Sequence, residues 1–120
     1  TPGSKPAKGW VNSAAIGQYQ MPGRILVPDL VARLPKKEIA IELERTLKSK
    51  SSYYERAALY ERSQYTHVIY FCETSEIFKS IARITGNTKK IGLSNLLSKD
   101  KIYTPGEGFQ PLAAFIGKAH

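Results

Sequence analysis

Hydrophobic and polar positions change their period several times along the chain, and each change predicts an element. Arg24 to Arg33, RILVPDLVAR, is dense in branched and apolar residues and reads as a strand. Pro28 within it lacks a ladder donor, so an edge, a bend or a bulge is expected there. LPKK, Leu34 to Lys37, is a turn signal. EIAIELER, Glu38 to Arg45, then alternates as a returning strand does. Two strands joined by so short a turn form a hairpin and pair antiparallel.

The period then lengthens. In SYYERAALYERSQY, Ser52 and Glu55 have capping-box spacing, which predicts a helix from about Tyr53 to Gln64. The start moves back to about Lys48 if Ser49 is the cap. THVIYFC, Thr66 to Cys72, is a short apolar run of strand type. TSEIFKSIARITG carries a Thr/Ser cap, apolar Ile77, Phe78, Ile81 and Ile84 at helical spacing, and Gly86 as a stop. KKIGLSNLL predicts another strand, KIYTPGEGF a strand or loop broken by Pro105 and two glycines, and QPLAAFIGKAH a last short helix. The order strand, strand, helix, strand, helix, strand predicts an α/β fold: a mixed sheet with a hairpin at one side, followed by crossovers.

Alternation also assigns faces. Ile39, Ile41 and Leu43 share one face of the second strand, and Ala40, Glu42 and Glu44 share the other. Two carboxylates on one face, roughly 6–7 Å apart by strand rise, repel unless a cation or a proton stands between them. Asp29 can lie across the hairpin from both. Three converging carboxylates make an oxygen-rich site suited to Mg²⁺ or Mn²⁺ rather than zinc or copper. The plainer reading is a solvated strand face paired with neighbouring Lys or Arg.

Composition narrows the classes. The chain has 120 residues and fits one domain. No apolar run reaches the ~18–20 residues of a membrane helix. The opening TPGSKPAKGW has no apolar core of the signal-peptide kind. With no initiator Met, residues 1–9 are expected to be linker or expression remnant, and residues 10–120 one domain of a larger protein. Cys72 is the one cysteine, which rules out an internal disulfide and a cysteine-based zinc site and fits a cytoplasmic protein. The net charge of +8, from 18 Lys and Arg against 10 Asp and Glu, points to a polyanionic partner, nucleic acid first. The basic residues punctuate the whole chain, so the expectation is a folded basic surface.

The combination VPDL, one short turn, then IELERTLKS resembles the PD-(D/E)XK nuclease superfamily over about Arg24 to Arg83. More narrowly, VPDLVARLPKKEIAIELERTLKSKSSYYERAALYE resembles the endonuclease-like domain of MobC-type plasmid mobilisation relaxases and replication-relaxation proteins. The resemblance implies a restriction-endonuclease-like mixed sheet flanked by helices. It implies that Asp29 and Glu42 bind a divalent metal. The superfamily's usual lysine, two residues after the second acid, is replaced here by Glu44, which then becomes a base or a further ligand. Lys48 is the candidate to take over the lysine's role, with Lys50 behind it.

On this reading Asp29, Glu42, Glu44 and Lys48 are the catalytic set, and the three acids are the metal ligands. Arg45, Lys50, Arg56 and Arg62 are candidate phosphate contacts, each also readable as ordinary solvated charge. The implied activity is metal-dependent nicking of plasmid DNA at a transfer or replication origin. The implied partners are DNA, other domains of the same protein and mobilisation proteins, with no membrane. The alternative is an inactive DNA- or protein-binding module on the same fold. Tyr53, Tyr54, Tyr60 and Tyr65 suggest a tyrosine nucleophile, but His67 and His120 do not form the histidine cluster that such chemistry requires. Tyr53, Ala57 and Tyr60 have the spacing of a core face, His67 reads as structural and Cys72 as a small buried hydrophobe. Trp10 has two readings, core packing or base stacking.

Overall fold

The computed structural model describes residues 20–21, 24–86, 88, 90–95 and 100–118. The 1–9 segment, Trp10 and His120 lie outside the described residues.

Short strands β1 (Gln20–Met21) and β2 (Arg24–Ile25) form a separate two-stranded antiparallel ladder. The main sheet has six strands: β3 (Leu30–Leu34), β4 (Lys37–Glu44), β5 (His67–Cys72), β6 (Ile91–Asn95), β7 (Lys101–Thr104) and β8 (Gly108–Pro111). They lie side by side in chain order. β4, β5 and β6 run parallel, while β3 at one edge and β7 and β8 at the other are antiparallel to their neighbours. This is the expected mixed sheet flanked by helices.

The Arg24–Arg33 segment is divided. Pro28 falls in the link between β2 and β3, where its missing N–H costs no ladder bond. The β3–β4 turn is as short as LPKK implied, with Leu34 paired to Lys37 and Lys36 in the left-handed region at φ 65°. KIYTPGEGF resolves into more than one strand or a loop. It is a second hairpin, β7 and β8, turning through Pro105 and through Gly106 (φ 92°) and Gly108 (φ 73°), where a Cβ would be strained.

Helices α1 (Lys50–Glu61) and α2 (Ser75–Ile84) are the crossovers between the parallel strands. Both cover the same sheet face. Tyr53, Ala57, Tyr60, Ile77 and Ile81 pack there on Ala40, Val68, Tyr70, Cys72, Ile91 and Leu93. Ser49 caps α1, its hydroxyl accepting from the Ser52 N–H at 3.2 Å, so the helix starts before the Ser52–Glu55 pair and ends at Glu61 rather than Gln64. Thr74 caps α2 in the same way, accepting from Ile77 N–H at 3.2 Å.

Among the described residues the opposite face is served by one short helix, α3 (Leu112–Gly117). Its Phe115 packs with Ile39, Ile69 and Ile102. Gly92 makes that approach possible: a Cβ there would stand 2.3 Å from Ile102 Cγ2 and 3.0 Å from the Phe115 ring. β5, apolar in nearly every position, is buried on both faces as a central parallel strand should be. No helix among the described residues is long and apolar enough to cross a membrane.

Candidate functional site: the carboxylate cleft beside the first crossover helix

Alternation in β4 holds. Ala40 and Ile39 enter opposite cores, and Glu42 and Glu44 follow Ala40 beneath α1. Both carboxylates are buried, 3% and 4% exposed, so the face is not solvated, while the pairing with Lys or Arg that the plainer reading expected is present: Glu42 with Arg56 and Glu44 with Lys48. Asp29, Glu42, Glu44 and Lys48 line one cleft of about 500 Å³. Ser52, Tyr53, Glu55, Arg56 and Leu59 of α1 form its other wall, one helical face at three- and four-residue spacing. The cleft lies toward the C-terminal end of β4, the end of a parallel sheet at which ligands are bound.

Each acid has a different occupation. Glu42 Oε2 accepts from Arg56 Nε at 2.8 Å and Arg56 Nη2 at 2.6 Å, and also from the Tyr60 hydroxyl. Arg56 Nη2 reaches the Val27 carbonyl as well, at 2.9 Å, and the guanidinium lies over the Tyr60 ring. Glu44 Oε1 accepts from Lys48 Nζ at 2.5 Å. Asp29 Oδ2 accepts from the Leu43 N–H at 2.8 Å. β3 begins opposite Ile41, so Asp29 occupies the β4 edge just past the end of their pairing.

Burial sets the electrostatics. It pushes the Glu42 carboxyl above its usual range, with Arg56 and Tyr60 pulling the other way and the nearby Asp29 charge adding to the rise. Burial and the Glu42 charge together raise the Tyr60 phenol. That keeps it a neutral donor and removes it as a nucleophile near neutral pH. Cys72, buried and close to Glu44, is pushed up to about 12, so it is the inert thiol its sequence context implied.

The donor set is of the type a hard divalent cation takes: carboxylate oxygens on one cleft, with no nitrogen or sulfur ligand. In kind it is the set that Mg²⁺ or Mn²⁺ takes. The oxygens do not converge on one point, however. Among the described residues no three His, Cys, Asp or Glu side chains gather as a metal-holding group. Glu42 is turned to Arg56 and Tyr60, Glu44 to Lys48, and Asp29 to the backbone.

The four candidate phosphate contacts separate. Arg56 is not a rim cation; it is the partner of Glu42. Arg45 is exposed and pairs loosely with Glu73 at 3.4 Å, at the ends of β4 and β5. Lys50 opens α1 and is exposed, and like Arg45 it is not among the residues that line the cleft. Arg62 follows α1 at its far end, about 18 Å from Lys50 at 1.5 Å per residue. It does not belong to the same rim. His67 is buried at the start of β5 between Thr66 Oγ1 and the Lys118 carbonyl, both at 3.0 Å, and is structural.

Reasoning from the sequence missed Arg56 and Tyr60 as the partners of Glu42. A signal was present, since they stand four residues apart on α1 and share a face with the buried Tyr53 and Ala57. Comparison with known proteins returns no match, whether family model, curated protein or solved structure.

Proposed function

We propose that the cleft processes the DNA phosphodiester backbone as a divalent-metal-dependent nuclease domain of restriction-endonuclease-like type. Its task on this reading is to nick plasmid DNA at a transfer or replication origin, in the cytoplasm, with other domains or mobilisation proteins supplying the site. One observation supports this above the others. Asp29, Glu42, Glu44 and Lys48, drawn from the β3 approach, β4 and the loop before α1, line a single cleft.

Asp29, Glu42 and Glu44 would hold Mg²⁺ or Mn²⁺, which when bound supplies Lewis-acid polarisation of the phosphate and a more acidic water. The chain's own groups do the rest. Lys48, held at 2.5 Å by Glu44, carries positive charge to the place where negative charge develops on the phosphorus oxygens. Glu44, once released from Lys48, accepts a proton from the attacking water as that oxygen bonds to phosphorus and the P–O bond to one sugar oxygen breaks; the departing alkoxide takes its proton from solvent water. Arg56 and Tyr60 fix the orientation of Glu42. Tyr53 and Leu59 form the buried part of the α1 wall. Lys50 and Arg45 supply positive charge at the rim.

A supercoiled-plasmid nicking assay with Mg²⁺ or Mn²⁺ tests the reading. Wild type should nick, and Asp29→Ala should neither nick nor bind metal by calorimetry. Lys48→Ala should keep metal binding and lose about 10²–10³ in rate, the usual cost of one preorganised stabilising group. A second reading, an inactive DNA-binding module, is favoured by the internal cations that already neutralise both strand carboxylates. It predicts salt-sensitive DNA binding, no nicking with either metal, and no effect of Asp29→Ala on binding.

A further inference from the structure

Three aromatic rings meet at the other end of the sheet. Tyr103 of β7 and Phe109 of β8 are direct cross-strand partners, with ring centroids 5.3 Å apart. Phe78 reaches them from α2, 5.4 Å from Tyr103 and stacked on Phe109 at 5.9 Å with 16° between planes. Phe78 and Tyr103 lean against the main core. Phe109 does not close the cluster: half of it, 50%, is exposed. A half-exposed ring backed by two others makes a shelf.

Two exposed lysines stand near the shelf, along with Glu107, which precedes Phe109 by two residues and is itself paired with Lys118. Lys101 stands two residues before Tyr103 on β7, hence on the same sheet face, and is exposed. Lys79 follows Phe78 on α2 and is also exposed. Register ties the shelf to the cleft. Glu42 pairs with Tyr70, Tyr70 with Leu93, Leu93 with Tyr103, and Tyr103 with Phe109. Shelf and cleft thus share one face of one sheet, four strand spacings or about 19 Å apart, with α1 and α2 between them.

An open aromatic face flanked by lysines is the pairing that single-stranded nucleic acid requires. Its bases stack without regard to sequence, while its phosphates are neutralised alongside. We infer that Phe109, backed by Phe78 and Tyr103 and flanked by Lys101 and Lys79, is a stacking platform for unpaired bases of a DNA strand whose backbone is processed at the cleft. The inference rests on the reading of DNA as the partner. It adds that the strand is single where it leaves the cleft.

Fluorescence anisotropy with a labelled oligothymidylate tests it, in EDTA so that cleavage plays no part. Phe109→Ala should weaken binding about 10-fold or more, the scale of one lost stacked base. Phe109→Trp should retain it, and its indole fluorescence should be quenched on binding. Lys101→Ala should weaken binding modestly and reduce its salt dependence. Equal affinity of Phe109→Ala and wild type, with both folded by circular dichroism, overturns the platform. So does a change in sedimentation of Phe109→Ala with DNA affinity unchanged, which would make the patch a protein contact. Phe109-dependent binding in a protein that never nicks DNA with Mg²⁺ or Mn²⁺ sinks the cleft reading and leaves the platform standing. Nicking without Phe109-dependent binding does the reverse.

Discussion

Glu42 and Glu44 stand two residues apart on the same face of the same strand, yet their surroundings differ in kind. Glu42 lies under the middle of α1, where a bidentate arginine and a phenol converge on one oxygen. Glu44 lies at the strand's end and is held by one lysine whose side chain is 46% exposed. The first arrangement is fixed by a helix face and costs much to undo. The second depends on a flexible arm already half in water, which exchanges partners cheaply. Burial of a carboxylate therefore does not say whether it is structural or exchangeable; the stiffness of its counter-charge does. Of the two, Glu44 with Lys48 is the part that can rearrange around a substrate.

The largest expected effect comes from breaking the fixed half. Arg56→Met leaves Glu42 buried without its counter-charge and should cost about 2–4 kcal/mol in denaturant unfolding, the penalty for an orphaned buried ion discounted for the partial exposure of Arg56. A loss below 1 kcal/mol would show that the two carboxylates are not different after all. Tyr60→Phe removes one hydrogen bond to a charged group in a buried place. It should cost about 1.5–3 kcal/mol with little change in packing, and the melting temperature should fall accordingly. Lys48→Met leaves the buried Glu44 without its cation and should cost about 1–2 kcal/mol, less than Arg56→Met because the lysine is half exposed and water can take its place, whatever it does to nicking. Destabilisation equal to that of Arg56→Met would place Lys48 in the scaffold.

The smallest effect is a slope. Burial holds the Glu42 carboxyl above its unfolded value. The folded state therefore binds the proton more tightly, and the group's contribution to stability is full below the unfolded value. It is lost as pH rises through the folded one. Wild-type stability minus that of Glu42→Gln, measured in denaturant across a series from pH 4 to 7, should accordingly decline as pH rises. An increase with pH would mean that Arg56 and Tyr60 outweigh burial and hold Glu42 ionised.

What could be read from the chain follows the range of the interactions. The hairpin, the faces of β4 and the two crossover helices depend on periods and turns within about a dozen residues, and all of them appear. Thr74 as a cap is equally local. The start of α1 was ambiguous because Ser49 and Ser52 both offer a hydroxyl, and only packing under Tyr53 and Ala57 selects Ser49. The Glu42–Arg56–Tyr60 contact spans a loop whose length does not dictate how α1 rotates over the sheet. Strand alternation put Glu42 beneath something without saying what. β8 went unread because Gly108, Phe109, Gln110 and Pro111 have no strand-like composition; they pair because the turn at Gly106 and Gly108 returns them to β7.

The order of the main sheet has a consequence for how the protein is made. From β4 to β8, each strand is a sheet neighbour of the strand that precedes it in the chain. No strand must be threaded between two that are already joined, and no early segment waits unpaired for one synthesised much later. Such a sheet can grow by accretion as the polypeptide leaves the ribosome, each new strand meeting an edge already formed, with loop closure confined to single crossovers. The carboxylate cleft, built wholly from residues before Arg62, is then assembled before the aromatic edge that ends the sheet has been translated.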